Sequence, residues 1–252
     1  MDDDEKELQE KQLQPHIKLK EVDEICLLSG NPDRVPKIAE SLIKSKKVAH
    51  YRGLVAYKGL TPNKSIPVTI LTTGMGVPSN AIVVEEAYKA GGRIFIRIGS
   101  CGSLLNKYPL GTIFIPHGAI RNEYTSNQLV PQEIPAIANP KLYQLLKKSA
   151  SFFNIDIPFG FVWTTDIYYS EDEKRVDKWI KYGANCVEME SSFLFSLQAL
   201  KPDIQVATIL TADGDLEKNQ SIYTGDIQKR IEKFQKSIKK SIEIVIHTIE
   251  LI

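Results

Sequence analysis

Charge of one sign is scarce in this chain of 252 residues: 32 Lys and Arg stand against 31 Asp and Glu. That balance leaves no general basic field to hold a polyanion, so neither nucleic acid nor an acidic membrane surface is an expected partner. Long apolar runs are missing too, and nothing approaches the roughly 20 residues of a membrane span. Cysteine is sparse. Cys26, Cys101 and Cys186 are odd in number, lack metal-ligand spacing and sit in or beside apolar segments, which argues against a disulfide framework and predicts reduced core residues. His50, His117 and His247 show no motif that places a base beside Cys101, so a cysteine hydrolase is not expected. The acidic opening "MDDDEKELQEKQLQ" lacks the basic start and apolar centre of a secretory signal, and a cytoplasmic protein is the expectation. Residues 1–14 are expected to form a charged, flexible segment ahead of one domain over 15–252, long enough to bury roughly three quarters of its unfolded surface.

What is present is alternation. Short β-branched runs at 24–30, 66–74, 94–100, 112–120, 158–165, 184–190 and 204–212 read as strands, and helical patterns lie near 34–45, 78–90, 139–153, 171–182 and 190–200. Pro78 and Pro140 fall where a first helical turn begins. A closing stripe of Ile227, Ile231, Phe234, Ile238, Ile242, Val245, Ile246 and Ile249 predicts an amphipathic helix against the core. The pattern is that of a single-domain α/β protein, a sheet covered by helices. The polar and proline-bearing stretch 121–139 is too long for a plain connection, and such loops often cover sites.

In open α/β sheets ligands collect beyond the carboxyl ends of strands. There the sequence places "SGNPDR" with Gly30 and Arg34, "TTGMG", and "RIGSCGS" with Arg97 and Ser100. An arginine inside an apolar strand requires a negative partner, and two candidates stand open: an internal carboxylate or a bound oxyanion. "GMGVPS" lacks the third glycine of a dinucleotide fingerprint, and "SGNPDR" lacks the Lys-Ser/Thr ending of a nucleotide triphosphate loop. Two acidic strand ends complete the set: "CVEMES" with Glu188 and Glu190, and "ILTADGD" with Asp213 and Asp215. At least one of each pair suits a helix cap. Residues two apart on a strand face the same way, so Glu188 and Glu190 would stand side by side, as a polyol requires. An acid at an apolar strand end such as Asp213 is expected to have a raised pKa and to serve as a proton donor.

From Pro15 onward the segments "PHIKLK", "LLSGNPDRVPKIAESL", "YRGLVAYKG", "TTGMGVPSNAI", "RIGSCGSL", "TTDIYYSEDE", "VEMESS" and "ILTADGD" occur in the order and spacing of the hexameric-type nucleoside phosphorylases, which the chain resembles. That family includes purine nucleoside phosphorylases and uridine phosphorylases. The resemblance implies a three-layer α/β/α fold with a central twisted mixed sheet, a homo-oligomer of dimer units up to a hexamer, and phosphorolysis of a nucleoside with inorganic phosphate as co-substrate and no metal or organic cofactor. Gly30, Arg34, Arg97 and Ser100 match the phosphate site, and Arg52 in "YRG" matches an arginine lent by a neighbouring subunit. Met189 and Glu190 match the ribose-binding pair. His16 matches a histidine that reaches the sugar from the adjacent subunit. Tyr168 and Val187 match the base pocket, and Asp213 the acid that protonates a purine. The sequence departs from the family in Asn31, where Asp is usual, and in an Asp-Gly-Asp acid segment without a secure partner arginine; Arg230 is the nearest candidate. The Gln and Arg pair with which uridine phosphorylases hold uracil is not evident in "YYSEDEKR", which favours purines.

Overall fold

The computed structural model describes residues 12–169, 173–216 and 220–252. In chain order its strands are β1 (Ile25–Ser29), β2 (Ile43–Tyr51), β3 (Leu54–Leu60), β4 (Pro67–Thr72), β5 (Ile94–Ser103), β6 (Ile113–Phe114), β7 (Gly118–Asn122), β8 (Ala136–Ile137), β9 (Phe161–Thr165), β10 (Ala184–Glu188), β11 (Gln205–Asp215) and β12 (Gln220–Ser221). The helices are α1 (Arg34–Ala39), α2 (Val77–Lys89), α3 (Thr125–Leu129), α4 (Pro140–Phe152), α5 (Glu173–Lys181), α6 (Ser191–Leu200) and α7 (Ile227–Ile249). Residues 1–11 of the expected charged segment lie outside the described residues.

Alternation along the central strands builds three layers. Ile25, Leu27, Ile94, Ile96 and Ile98 pack with residues of α1, α4 and α7, whereas Cys26, Leu28 and Phe95 pack with residues of α2 and α6. Arg97 has the parity of Phe95, so the strand aims it at α2 and α6. The expected stripe on α7 is buried at Phe234, Ile238, Ile242, Val245 and Ile249, each side chain stabilising the fold by roughly 1.5–3 kcal/mol. Local signals start the helices: Pro78 and Pro140 stand in first turns, the Asn139 side chain accepts from the amides of Lys141 and Leu142, and the Asp226 carboxylate accepts from that of Lys229.

The sheet is mixed, in the order β2-β3-β4-β1-β5-β10-β9-β7-β8, with β11 also on β5. Its topology makes a gap. Over Ile94–Arg97, β5 is flanked by parallel β1 on one side and parallel β11 on the other. β1 then ends, and at Gly102 and Ser103 antiparallel β10 takes its place. The stretch between, with Gly99 and Ser100, has a strand on one edge only, and such a switch of neighbours opens a crevice at the strand ends.

Three expectations are corrected. The helix over 34–45 ends at Ala39, and Ile43 begins β2, because Lys44, Lys46 and Lys47 hide a strand in which only Val48 and Ala49 are half-buried. β2 and β3 form a hairpin closed by Arg52 and Gly53, both at positive φ (52° and 78°), the backbone a two-residue turn demands. The run 112–120 divides into β6 on β11 and β7 on β9. The stretch 121–139 is no plain loop: Arg121 donates to the carbonyls of Ser126, Val130, Pro131 and Ile134 and to the Ser126 hydroxyl, and α3 and β8 form around it.

The end of α7 is tied to the β3–β4 turn by Glu250, which accepts from the Asn63 amide at 2.8 Å and the Asn63 side chain at 2.7 Å. Burial would raise the Glu250 carboxyl, but bonds from Asn63, the Lys64 amide and Thr61 outweigh it and hold it below the usual range. Glu250→Gln is expected to cost about 1 kcal/mol in denaturant unfolding at pH 7. A depressed carboxyl contributes stability above its unfolded pKa and loses it as pH falls through the folded one, so the gap between wild type and variant should close as pH falls below the ordinary carboxylate range.

Candidate active site

Arg97 stands at the gap in the sheet, 4 % exposed, with its guanidinium folded over Gly99, where a Cβ would come within 1.7 Å of Nη1. Both open readings of its partner meet here. Nη2 donates to Glu190 and lies 3.5 Å from Glu188, so internal carboxylates hold one end. Nε and Nη1 are buried and have no hydrogen-bond partner among the described residues, which leaves two donor nitrogens for a further acceptor. Burial alone would lower this guanidinium; Glu190 and then Glu188 outweigh it and push it up, so Arg97 stays charged.

The two glutamates are not equivalent. Glu188 accepts from the Glu190 amide, the Ser191 amide and the Thr164 hydroxyl, so the expected capping bonds at the start of α6 come from Glu188, while Glu190 holds the N-cap position without a side-chain cap bond. Burial pushes its carboxyl up, against Arg97, and the charge of Glu190 adds to the rise. Glu190 instead bridges the loops: Oε1 accepts from the Gly76 amide at 2.6 Å and Oε2 from Arg97. Its neighbour Met189 is half-buried, and so is Val187, in the cluster with Leu104, Trp163 and Ala184.

Arg34 enters from the first turn of α1, 8 % exposed, and donates Nη1 to the Ile98 carbonyl at 3.1 Å on the open edge of β5. Burial and then the charge of Arg97 lower its guanidinium to about 10 despite the opposing fields of Asp213 and Glu190. Two buried cations that repel one another favour an anion between them. Asn31 does the work expected of Asp in this loop: Oδ1 accepts from the Asp33 amide at 2.8 Å, and its carbonyl accepts from the Arg34 amide. A Cβ at Gly30 would stand 2.9 Å from the Gly74 carbonyl oxygen, so glycine lets the first and second loops close on each other.

Asp213 sits in a β-bulge. Ala212 pairs with Cys101 and Gly214 with Gly102, leaving Asp213 unmatched, and bulges of this kind re-aim a side chain. Asp215 is back in the ladder opposite Ser103 and 4 % exposed. Burial pushes the half-buried Asp213 carboxyl up to about 6, only partly offset by a hydrogen bond from Ser100 and the field of Arg34. Among the described residues Arg34 is a cation whose field acts on Asp213, and Arg230 donates Nη1 to the Ser221 carbonyl. Tyr168, 76 % exposed, has its hydroxyl pushed up by partial burial and then by the fields of Asp213, Tyr169 and Tyr223.

Arg52 and His16 lie apart from this group. Arg52 is exposed at the hairpin tip, which rises at the same edge of the sheet as the carboxyl ends of β4, β1 and β5. His16 is tied to α2: Nδ1 meets Glu86 at 2.5 Å, and the same carboxylate accepts from the amides of His16 and Ile17. A cavity of about 340 Å³ opens at the carboxyl ends of β7 and β9, between Arg121–Tyr124 and Asp166–Ile167. Among the described residues, no helix is long and apolar enough to cross a membrane.

A family model described as "Phosphorylase superfamily" matches residues 24–250. The chain is 30 % identical over 239 residues to a guanosine phosphorylase of Halorubrum lacusprofundi, covering 94 % of this chain and 98 % of that protein. It is 31 % identical over 243 residues to a uridine phosphorylase of Treponema pallidum, covering 91 % and 92 %. The crystal structure of uridine phosphorylase from Vibrio fischeri superposes with a TM-score of 0.84 at 28 % identity, over 96 % of this chain and 98 % of that one. A match over nearly the whole sheet and every strand end that carries the site makes this chain a member of the nucleoside phosphorylase family within the phosphorylase superfamily.

Proposed function

We propose that this protein phosphorolyses purine nucleosides, releasing the free base and ribose 1-phosphate. The observation that carries the reading is the bulged Asp213, a carboxyl raised to about 6 beside Ser100 and Arg34. Breaking the bond to the anomeric carbon develops positive charge on the sugar and negative charge on the base. An oxyanion held by Arg34, the two unpartnered donors of Arg97, Ser100 and the Gly30 loop stabilises the first charge and supplies the nucleophile. A protonated Asp213 stabilises the second by giving its proton to the purine, while Tyr168 and Val187 hold the ring. Glu190 and Met189 hold the ribose. Positioning phosphate against the sugar supplies much of the rate, so no metal or organic cofactor enters the scheme.

Arg52 and His16 complete the site of a neighbouring subunit in this reading, which makes the working unit a homo-oligomer built from dimers. The exposed hairpin tip at the site edge of the sheet supports it. Uridine is the second reading, favoured by the 31 % identity to a uridine phosphorylase over most of both chains. A panel of inosine, guanosine, adenosine, uridine and 5′-methylthioadenosine, each with and without phosphate, separates the cases. The expected result is base release only with phosphate, fastest for a purine ribonucleoside. Release without phosphate would indicate a nucleosidase, preference for uridine or methylthioadenosine would move the substrate, and no turnover would leave a nucleoside-binding protein.

A further inference from the structure

Glu123 is 4 % exposed, and a buried carboxylate of this kind requires partners. It has them on two elements. Oε2 accepts from the Ser126 amide at 2.9 Å, while Oε1 accepts from the Ser126 hydroxyl and, at 2.9 Å, from the hydroxyl of Ser192 in the first turn of α6. The Ser192 amide donates to Thr164 Oγ1 at 3.1 Å, and that hydroxyl donates to Glu188 Oε1 at 2.7 Å. Glu188 closes the chain by accepting from the Glu190 and Ser191 amides at 3.0 Å. Ser192 and Thr164 are fully buried, so water does not compete for these bonds. One turn of helix is therefore gripped from two sides, by Glu188 of β10 and by Glu123 of the 121–139 segment, and that turn begins at Glu190.

We propose that Glu123 is a positioning residue that fixes the first turn of α6 through Ser192 and thereby sets the reach of the Glu190 carboxylate toward the sugar. The proposal rests on the ribose-facing role of Glu190 given above. Glu190 is shared between the Gly76 amide and Arg97, so it meets a sugar hydroxyl at hydrogen-bond distance only if the backbone that carries it is held. Deleting the outer grip lets the turn shift while the anion donors of α1 and the Gly30 loop stay in place, and a displacement of about 1 Å at a positioned group costs up to about 10²-fold in rate. A carboxylate also suits the place, because the N-terminus of α6 favours negative charge.

Because Glu190 reads sugar hydroxyls in this scheme, the informative measurement is the preference for a ribonucleoside over its 2′-deoxy counterpart, taken as the ratio of kcat/KM at saturating phosphate. Wild type, Glu123→Gln, Ser192→Ala and the double variant are compared, each with a thermal melt and a KM for phosphate. Glu123→Gln and Ser192→Ala are each expected to lower the preference about tenfold, with the loss in the ribonucleoside, while the phosphate KM moves less than about twofold. The double variant should lose no more than either single, since both cut one chain of bonds. An unchanged preference in folded Ser192→Ala overturns the proposal whether or not Glu123→Gln folds, and so does a strictly additive double variant. Failure of the phosphorylase reading looks different: wild type itself then shows no phosphate-dependent cleavage, and the proposal falls with it.

Discussion

Asp213→Asn is expected to slow purine nucleoside phosphorolysis on the order of 10²-fold or more while nucleoside binding changes little. The substitution keeps the shape and removes the proton that a leaving purine needs. pH gives a second readout with a definite sign. The active form is the protonated acid, and burial holds that acid at about 6. In the wild type kcat/KM for the nucleoside at low phosphate should therefore fall as pH rises through about 6, and the variant should lack that limb. A bound phosphate adds negative charge beside Ser100 and Arg34, so the corresponding limb in kcat should lie at higher pH. Stability runs the other way: a carboxyl raised in the fold costs stability once it ionises, so at pH 8 the variant should melt no lower than wild type. A nucleoside whose leaving group needs no proton should be affected far less. If Asp215→Asn gives this pattern and Asp213→Asn does not, the proton donor is the residue in the ladder and not the one in the bulge.

The reason Asp213 is singled out is register, which is also where the sequence stops being readable. The strand-end pieces were legible because each rests on local chemistry: small residues after an apolar run, an acid at a strand end, Pro78 and Pro140 in first turns. The stripe on α7 was legible for the same reason, as a period of the chain itself. What local pattern could not reveal is which strand ends meet. Arg97 and Glu190 are 93 residues apart, and their contact depends on β1 ending short of the point where β10 joins β5. The choice between Asp213 and Asp215 depends on one unmatched residue between β11 and β5. The β2–β3 hairpin escaped because lysines occupy the face that would otherwise have shown alternation, and an exposed edge strand needs such charges. The 121–139 segment escaped because its order is centred on one side chain, Arg121, and not on a repeating pattern.

Arg97→Ala should remove phosphate binding and also destabilise the fold, a double effect that follows from what holds the guanidinium. The resemblance implies phosphate, and not a buried carboxylate, as the partner of Arg97, and such a ligand-only partner would let the alanine variant fold as well as wild type; the contacts of Nη2 with Glu190 and Glu188 correct that expectation. The Glu188 and Glu190 side chains at its Nη2 are 2 % and 5 % exposed, and without Arg97 they remain as two buried carboxylates facing each other. Breaking a buried pair in this way costs on the order of 3 kcal/mol, or roughly 10 °C in melting temperature for a chain of this size. The cost has a sign in pH. Arg97 is what holds the already raised Glu188 carboxyl down, so in its absence the folded state takes up a proton more readily. A carboxyl raised in the fold favours folding at low pH and loses that advantage as pH rises, so the gap between wild type and variant should widen from pH 5 to pH 8. Phosphate separates the second effect from the first. A ligand at 100 times its Kd raises wild-type stability by about 2.7 kcal/mol, and the same titration should leave the Arg97→Ala melt unmoved because Nε and Nη1 are gone. A variant that melts lower yet gains as much from phosphate as wild type would make Arg97 a structural cation for Glu188 and Glu190 and move the anion site to Arg34 alone.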